Sequence, residues 1–333
     1  MQEQKIKNIL NEIIGFLNPR VREVIEKRFG LRAVSHQTLE AIGKNMGITR
    51  ERVRQIEALG LRQLSNKNIV EPLKPILDTI EQYLKGYSGV KKEDCFLKET
   101  ADLFSLKEKN RENIINFLLV LGKGRFSYFK ETPTWHAAWA LDAAAYNETT
   151  TLVDALKKRL AEEKTPIPRS EISKIAGFSH VELSRHISQN PFGEWGLVNS
   201  PEVSPKGVKD KAYLVFKKEN RPLHFAQVAE LINRVVFSDR KAHPQTVHNE
   251  LIKDPRFVLV GRGTYALSDW GYEPGTVRDV LVSILKNAGK GMTKEEIIKN
   301  VQAKRLVKEN TIILNLQNKK VFKKTDNERF TLA

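Results

Sequence analysis

Seven histidines, one cysteine and 40 carboxylates are the side chains of this 333-residue chain that could hold a metal or attack a substrate. Their spacing argues against both. His180 and His186 are six residues apart, and His243 and His248 five apart. Neither pair has the i, i+4 spacing that turns two imidazoles toward one ion on a helix. Cys95 follows Glu93 and Asp94, and an acidic neighbourhood disfavours a thiolate. As the sole cysteine it also excludes an intramolecular disulfide and a multi-cysteine zinc site. Gly122-Lys-Gly-Arg and Gly289-Lys-Gly-Met are turn signals, not phosphate loops of the Walker type. Trp135 and Trp139 have the spacing of core residues rather than of a base-stacking platform. No catalytic constellation is present, so the expectation is a non-enzyme without metal, cofactor or small-molecule substrate.

What remains is charge. Lys and Arg number 56 against 40 Asp and Glu, a net charge of +16 and a pI near 9.7. A balance this basic favours a polyanion, nucleic acid first. An anionic membrane surface is the weaker alternative, because no basic amphipathic helix with a bulky apolar face stands out. The most apolar run, Phe117 to Leu121, is far short of the about 18 residues a bilayer needs. Met1-Gln-Glu-Gln-Lys opens the chain without an apolar signal region. A soluble, cytoplasmic, nucleoid-associated protein is expected. With 40% hydrophobic residues, the chain can build true cores.

The elements that must position the charges follow from periodicity. Ile6, Ile9, Leu10, Ile13, Ile14 and Leu17 line one helical face. Asn18-Pro19 starts a second helix, with Val21, Val24, Ile25 and Phe29 inward, ending at Gly30. Thr38 caps a third helix carrying Leu39, Ile42 and Met46 inward. Gly47 makes the turn, and Thr49 caps a fourth with Val53, Ile56 and Leu61 inward. With Gly47 as turn glycine, Gly43 falls at the crossing position and every inward position is apolar, the pattern of a helix-turn-helix. The outward residues of its second helix are Arg50, Glu51, Arg52, Arg54 and Gln55.

Beyond residue 68 one theme recurs: helix, helix, helix, β-hairpin, the winged-helix order. The predicted architecture is therefore mostly α, a helix-turn-helix domain over 1–68 followed by tandem winged-helix units. These are a possible unit over 69–145, then 149–206, 207–271 and 272–333. In the first, helices are expected over 70–84 and 108–121 and strands near 122–129 and 135–139. In the second, Leu152, Leu156 and Leu160 mark the first helix, 170–177 a short second and 179–188 a third, with a strand at Trp195. In the third, Phe225–Val235 and Pro244–Lys253 are helices, and two strands flank Gly261-Arg-Gly263. In the last, helices start at Thr276, Thr293 and Lys308, and a hairpin follows Val321. Thr246, His248 and Asn249 are candidate groove residues on the third helix of the 207–271 unit. Arg262 at its wing tip reads either as a phosphate or minor-groove contact or as a solubilising turn residue.

Thr38-Leu-Glu-Ala-Ile-Gly, Thr49-Arg-Glu-Arg-Val-Arg-Gln-Ile-Glu-Ala and Leu61-Arg-Gln-Leu together resemble region four of primary bacterial RNA polymerase sigma factors, and Asn18-Pro-Arg-Val-Arg-Glu-Val-Ile-Glu-Lys-Arg-Phe-Gly resembles the preceding helix of that region. The resemblance implies that the second helix enters the major groove of an upstream promoter element. It carries base and phosphate reading onto Arg50, Glu51, Arg52, Arg54 and Gln55, with Thr49 as cap. Arginine can donate twice to guanine, glutamate can accept from cytosine, and glutamine can pair with adenine. Thr38, Leu39 and Glu40 would sit at the backbone, where a helix N-terminus favours phosphate. Leu59 and Gly60 stand where the family has a basic residue and an alanine, which bears on one backbone contact and on helix straightness. No segment resembles the aromatic-rich sigma region that melts promoters, so a self-sufficient initiation factor is not expected.

Residues 207–270 resemble the HARE-type winged helix through Arg221-Pro-Leu-His-Phe-Ala-Gln-Val-Ala-Glu-Leu-Ile, His243-Pro-Gln-Thr-Val-His-Asn-Glu-Leu and Asp254-Pro-Arg-Phe-Val-Leu-Val-Gly-Arg-Gly-Thr-Tyr-Ala-Leu. That family includes the delta subunit of RNA polymerase and modules of DNA-modifying and chromatin proteins. The combined expectation is a DNA-binding transcription regulator or accessory initiation factor, with double-stranded DNA and the RNA polymerase core as partners. Two alternatives stay open: a polymerase-binding scaffold without sequence reading, and the recognition subunit of a DNA-modification system.

Overall fold

A computed structural model describes the chain apart from residues 1, 33, 34, 175, 176, 236, 238, 239, 326 and 327. It forms two compact units, Met1–Ser188 and Gln189–Ala333. The fold is mostly α with small antiparallel sheets. Among the described residues no helix is long and apolar enough to cross a membrane.

In the first unit α1 (Gln2–Gly15) buries Ile6, Leu10, Ile13 and Ile14. α2 (Pro19–Phe29) is capped by Asn18, whose Oδ1 accepts from Val21 N at 2.9 Å, and ends in the left-handed Gly30. α3 (Leu39–Met46) and α4 (Arg50–Leu64) form the helix-turn-helix. α5 (Lys67–Val70), a 3₁₀ turn over Glu71–Leu73 and α6 (Lys74–Lys85) replace the single helix expected over 70–84. Pro72 and Pro75 interrupt the ladder and restart it, since proline donates no backbone hydrogen bond.

β1 (Val90–Lys92), α7 (Glu93–Leu103), α8 (Arg111–Leu121), β2 (Ser127–Phe129) and β3 (Ala138–Ala140) come next. β3 is the central strand, with Ala140 paired to both Val90 and Ser127. One apolar core runs from Ile6 to Trp139. Within it the Phe29 and Phe117 rings lie 4.9 Å apart. Asn110 Nδ2 donates to the carbonyls of Gly30 at 3.2 Å and Leu31 at 2.8 Å, satisfying the chain where α2 ends. The core of residues 1–68 is thus continuous with that of α6–α8.

The unit ends with α9 (Ala143–Glu163), α10 (Arg169–Ile172), α11 (Phe178–Val181) and β4 (Ile187–Gln189). α9 buries Thr149, Val153, Leu156 and Leu160, while Leu152 faces water. The helix expected over 170–177 spans Arg169–Ile172, and residues 175 and 176 lie outside the described ones. The helix expected over 179–188 stops at Val181. His136 N donates to Leu183 O at 2.8 Å and Arg185 N to Thr134 O at 3.0 Å, so this backbone pairs with a distant segment instead of with its own preceding turn.

The second unit starts with β5 (Trp195–Leu197) and holds two small α-plus-hairpin bodies. α12 (Val208–Glu219), β6 (Leu223–His224), α13 (Phe225–Val235), α14 (Pro244–Lys253), β7 (Phe257–Gly261) and β8 (Thr264–Leu267) enclose one core, with sheet order β6-β8-β7. α15 (Val277–Ala288), α16 (Lys294–Lys304), α17 (Glu309–Leu316), β9 (Phe322–Lys324) and β10 (Phe330–Leu332) enclose the other. Capping boxes start α15 and α16, Thr276 with Asp279 and Thr293 with Glu296.

Candidate nucleic-acid interface

α3 and α4 meet at a glycine. A Cβ on Gly43 would stand 2.7 Å from Ile48 O, inside contact distance of fixed backbone. Ile48 N donates to Gly43 O at 3.0 Å, and Gly47 makes the corner at φ 65°. Thr49 Oγ1 accepts from Arg52 N at 3.2 Å and starts α4. Val53 and Ile56 are buried beneath it. α4 continues unbroken through Gly60, where a Cβ would meet Val21 Cγ1 at 2.8 Å. The glycine that stands for the family's alanine therefore serves a close crossing of α4 over α2, and the helix remains regular.

Arg50, Glu51, Arg52, Arg54 and Gln55 are all exposed on the outer face of α4. They are ordered by one another. Arg54 grips Glu51 through Nε at 2.8 Å and Nη2 at 2.7 Å, and Arg52 Nη1 donates to Gln55 Oε1 at 3.1 Å. The Arg54 guanidinium holds the Glu51 carboxyl below its usual range, so Glu51 is an anion and a pure acceptor near neutral pH. At the start of α3, Thr38 Oγ1 accepts from Ala41 N at 3.2 Å, and Thr38 and Glu40 are exposed. Leu39 differs: its side chain is half-buried against the core, leaving its first-turn amide as the group able to meet a phosphate.

In the second unit Thr246 and Asn249 are exposed on α14. His248 is half-buried, stacked on Phe225 with centroids 4.5 Å apart and edge-on to Tyr265 at 5.9 Å. Its ring is occupied in packing, away from the exposed face of Thr246 and Asn249. The register Gly261 to Thr264 leaves Arg262 and Gly263 as a two-residue tip, with Arg262 exposed. Gly263, at φ 68°, cannot carry a side chain, because a Cβ would lie 2.6 Å from His224 Nε2.

Residues 13–66 match the family model of Sigma-70, region 4. Residues 207–270 match the HARE-HTH family model, a helix-turn-helix domain named for its ASXL and restriction endonuclease members. Over 73 residues the chain is 44% identical to the RNA polymerase sigma factor SigA of Clostridium acetobutylicum, covering 22% of this chain and 19% of the relative. It is 43% identical over 77 residues to SigA of Nostoc sp., covering 22% and 20%, and 37% identical over 79 residues to the sigma factor RpoD of Neisseria gonorrhoeae, covering 24% and 12%. The chain thus spans a fifth or less of the length of these relatives. Both resemblances read from the sequence hold, and each is confined to its own segment.

The residues that orient the region 4 segment escaped the sequence. Arg28 Nε donates to Glu57 Oε1 at 3.2 Å and Arg28 Nη1 to Gln37 O at 3.3 Å, tying α2 to α4 and to the lead-in of α3. Such pairs join positions 29 and 9 residues apart and leave no local pattern. Gly60 had a signal, a glycine among helix-forming residues, which marks a close crossing as readily as a weak point.

Proposed function

We propose that the chain is a transcription regulator or accessory initiation factor that reads promoter-like duplex DNA with the outer face of α4. The observation that carries this reading is the joint placement of Arg50, Glu51, Arg52, Arg54 and Gln55 on one exposed face of the second helix of a Sigma-70 region 4 segment. In the major groove, Arg52 and Arg54 can each donate to a guanine edge, Gln55 can pair with adenine, and Glu51 can accept from cytosine while it orients Arg54. The amides at the start of α3, with Thr38 and Glu40, fix the register on the backbone. Thr246 and Asn249 on α14 and Arg262 on the wing add contacts from the HARE-HTH segment. The named relatives are RNA polymerase sigma factors, which supports association with the RNA polymerase core in the cytoplasm. No catalytic step is assigned to this chain.

The second reading is a polymerase-binding scaffold. The closed pairs Arg54–Glu51 and Arg52–Gln55 favour it, because groups engaged with each other must rearrange to engage bases. Arg52→Ala and Arg54→Ala separate the two. Direct reading predicts that each loses about 1–3 kcal/mol of discrimination between a promoter-like duplex and its scrambled counterpart. Equal loss on both duplexes makes the arginines phosphate clamps, and unchanged duplex binding with retained polymerase capture selects the scaffold.

A further inference from the structure

The two small bodies of the second unit are joined at the wing of the first. Leu306 N donates to Val260 O on the edge strand β7 at 3.0 Å, and Leu306 O lies 3.3 Å from where a Cβ on Gly261 would stand. The same lead-in is held by a buried Arg305, which donates to Gly275 O, and by the ion pair of Lys304 with Glu273. Lys308, the N-cap residue of α17, comes two residues later. The start of α17 is therefore fixed beside the Gly261-Arg262-Gly263 tip.

The charges around α17 have a pattern. Arg262 and Lys308 are exposed near its start, and Lys319, Lys320 and Lys323 are exposed beyond its end. None of the five is ion-paired with a described carboxylate, whereas Lys324 is engaged by Glu328 at 2.9 Å. Between the two cationic ends the exposed residues after Glu309 are uncharged: Asn310, Thr311 and Leu314. Leu314 is 66% exposed. An α17 of 8 residues is about 12 Å long, close to the roughly 12 Å width of a major groove. A neutral helix of that length with cations at both ends suits a duplex: the ends meet phosphates on either side of the groove, and an exposed leucine can touch a thymine methyl.

We propose that α17 is the groove helix of a second duplex-binding face, clamped by Arg262 of the neighbouring wing together with Lys308 at one end and by Lys319, Lys320 and Lys323 at the other. The face is composite, because the wing of one body serves the helix of the next. Its affinity comes chiefly from phosphates, so it anchors the chain on DNA independently of what α4 reads.

The test uses the full chain carrying Arg52→Ala and Arg54→Ala, titrated with a fluorescent random-sequence duplex over a range of salt. Residual duplex binding is expected. Arg262→Gln, Lys308→Gln and Lys320→Gln should each flatten the slope of log K against log salt by about 0.9, while the exposed Lys286→Gln and Lys299→Gln of the same unit leave it unchanged. Equal flattening by all five substitutions means diffuse charge and overturns the proposal. Loss from Arg262→Gln without loss from Lys308→Gln or Lys320→Gln overturns the composite face, and absence of duplex binding overturns it entirely. Failure of the α4 reading is separate: it appears as a lack of sequence enrichment by the unaltered chain and leaves these slopes in place.

Discussion

At the scale of single residues, two glycines and one aspartate set the geometry on which the interface depends. Gly43 faces backbone at Ile48, whereas Gly60 faces the side chains of Val21 and Ile25. Backbone cannot yield as side chains can, so thermal unfolding should show Gly43→Ala more destabilised than Gly60→Ala, with both in the range of about 1–3 kcal/mol for an overpacked site. Asp254 accepts two hydrogen bonds from Arg256, Nε to Oδ1 at 3.0 Å and Nη2 to Oδ2 at 2.6 Å, and Arg256 also reaches Asp210 at 2.9 Å. The Arg256 guanidinium holds the Asp254 carboxyl below its ordinary range. A carboxylate with a depressed folded pKa stabilises fully above its unfolded value of about 4 and loses that contribution as pH falls through the folded value. Denaturation should show an acid-side loss below about pH 4 that Asp254→Asn abolishes, with a cost near neutrality of about 1–2 kcal/mol because Arg256 keeps part of its surface in water.

At the scale of elements, the caps and the stacked histidine divide folding from recognition. Thr49→Ala removes the acceptor for Arg52 N and should cost about 0.5–2 kcal/mol in chemical denaturation. His248→Ala should lower the melting temperature of the second unit through lost stacking on Phe225 while leaving duplex affinity unchanged. Thr246→Ala and Asn249→Ala should do the reverse if α14 meets DNA. Helices with their own caps and glycine stops were legible in the sequence: α2 from Asn18 to Gly30, α3 from Thr38 to Gly47, and α4 from Thr49. Elements decided by distant partners were not. β1 exists because Val90 finds Ala140, and the helix expected through Leu183 yields to pairing with residues 134–136. The reading face of α4 was visible as polar positions between Val53 and Ile56, but periodicity cannot show that those side chains grip one another, nor that His248 turns into an aromatic stack.

At the scale of the molecule, the region 4 segment is not insulated from the helices that come after it. The core that begins at Ile6 continues to Trp139, and Phe117 on α8 closes on Phe29 of α2. Residues 1–68 expressed alone should therefore show a lower urea midpoint than residues 1–188, and Phe117→Ala in the full chain should cost about 3–5 kcal/mol for the cavity it leaves beside α2. Equal midpoints for the two fragments would show that α8 adds nothing to the fold of the reader. That continuity was hidden in the sequence, since a helical stripe tells that a residue is inward and not which helix receives it.

The central claim is that α4 reads DNA sequence. The measurement that tests it most directly is selection of the full chain against a random duplex library at near-physiological salt, beside the chain carrying Arg52→Ala and Arg54→Ala. Enrichment of one promoter-like motif, lost in the variant, is the predicted result. Binding without enrichment, or the same motif enriched by both chains, would contradict it.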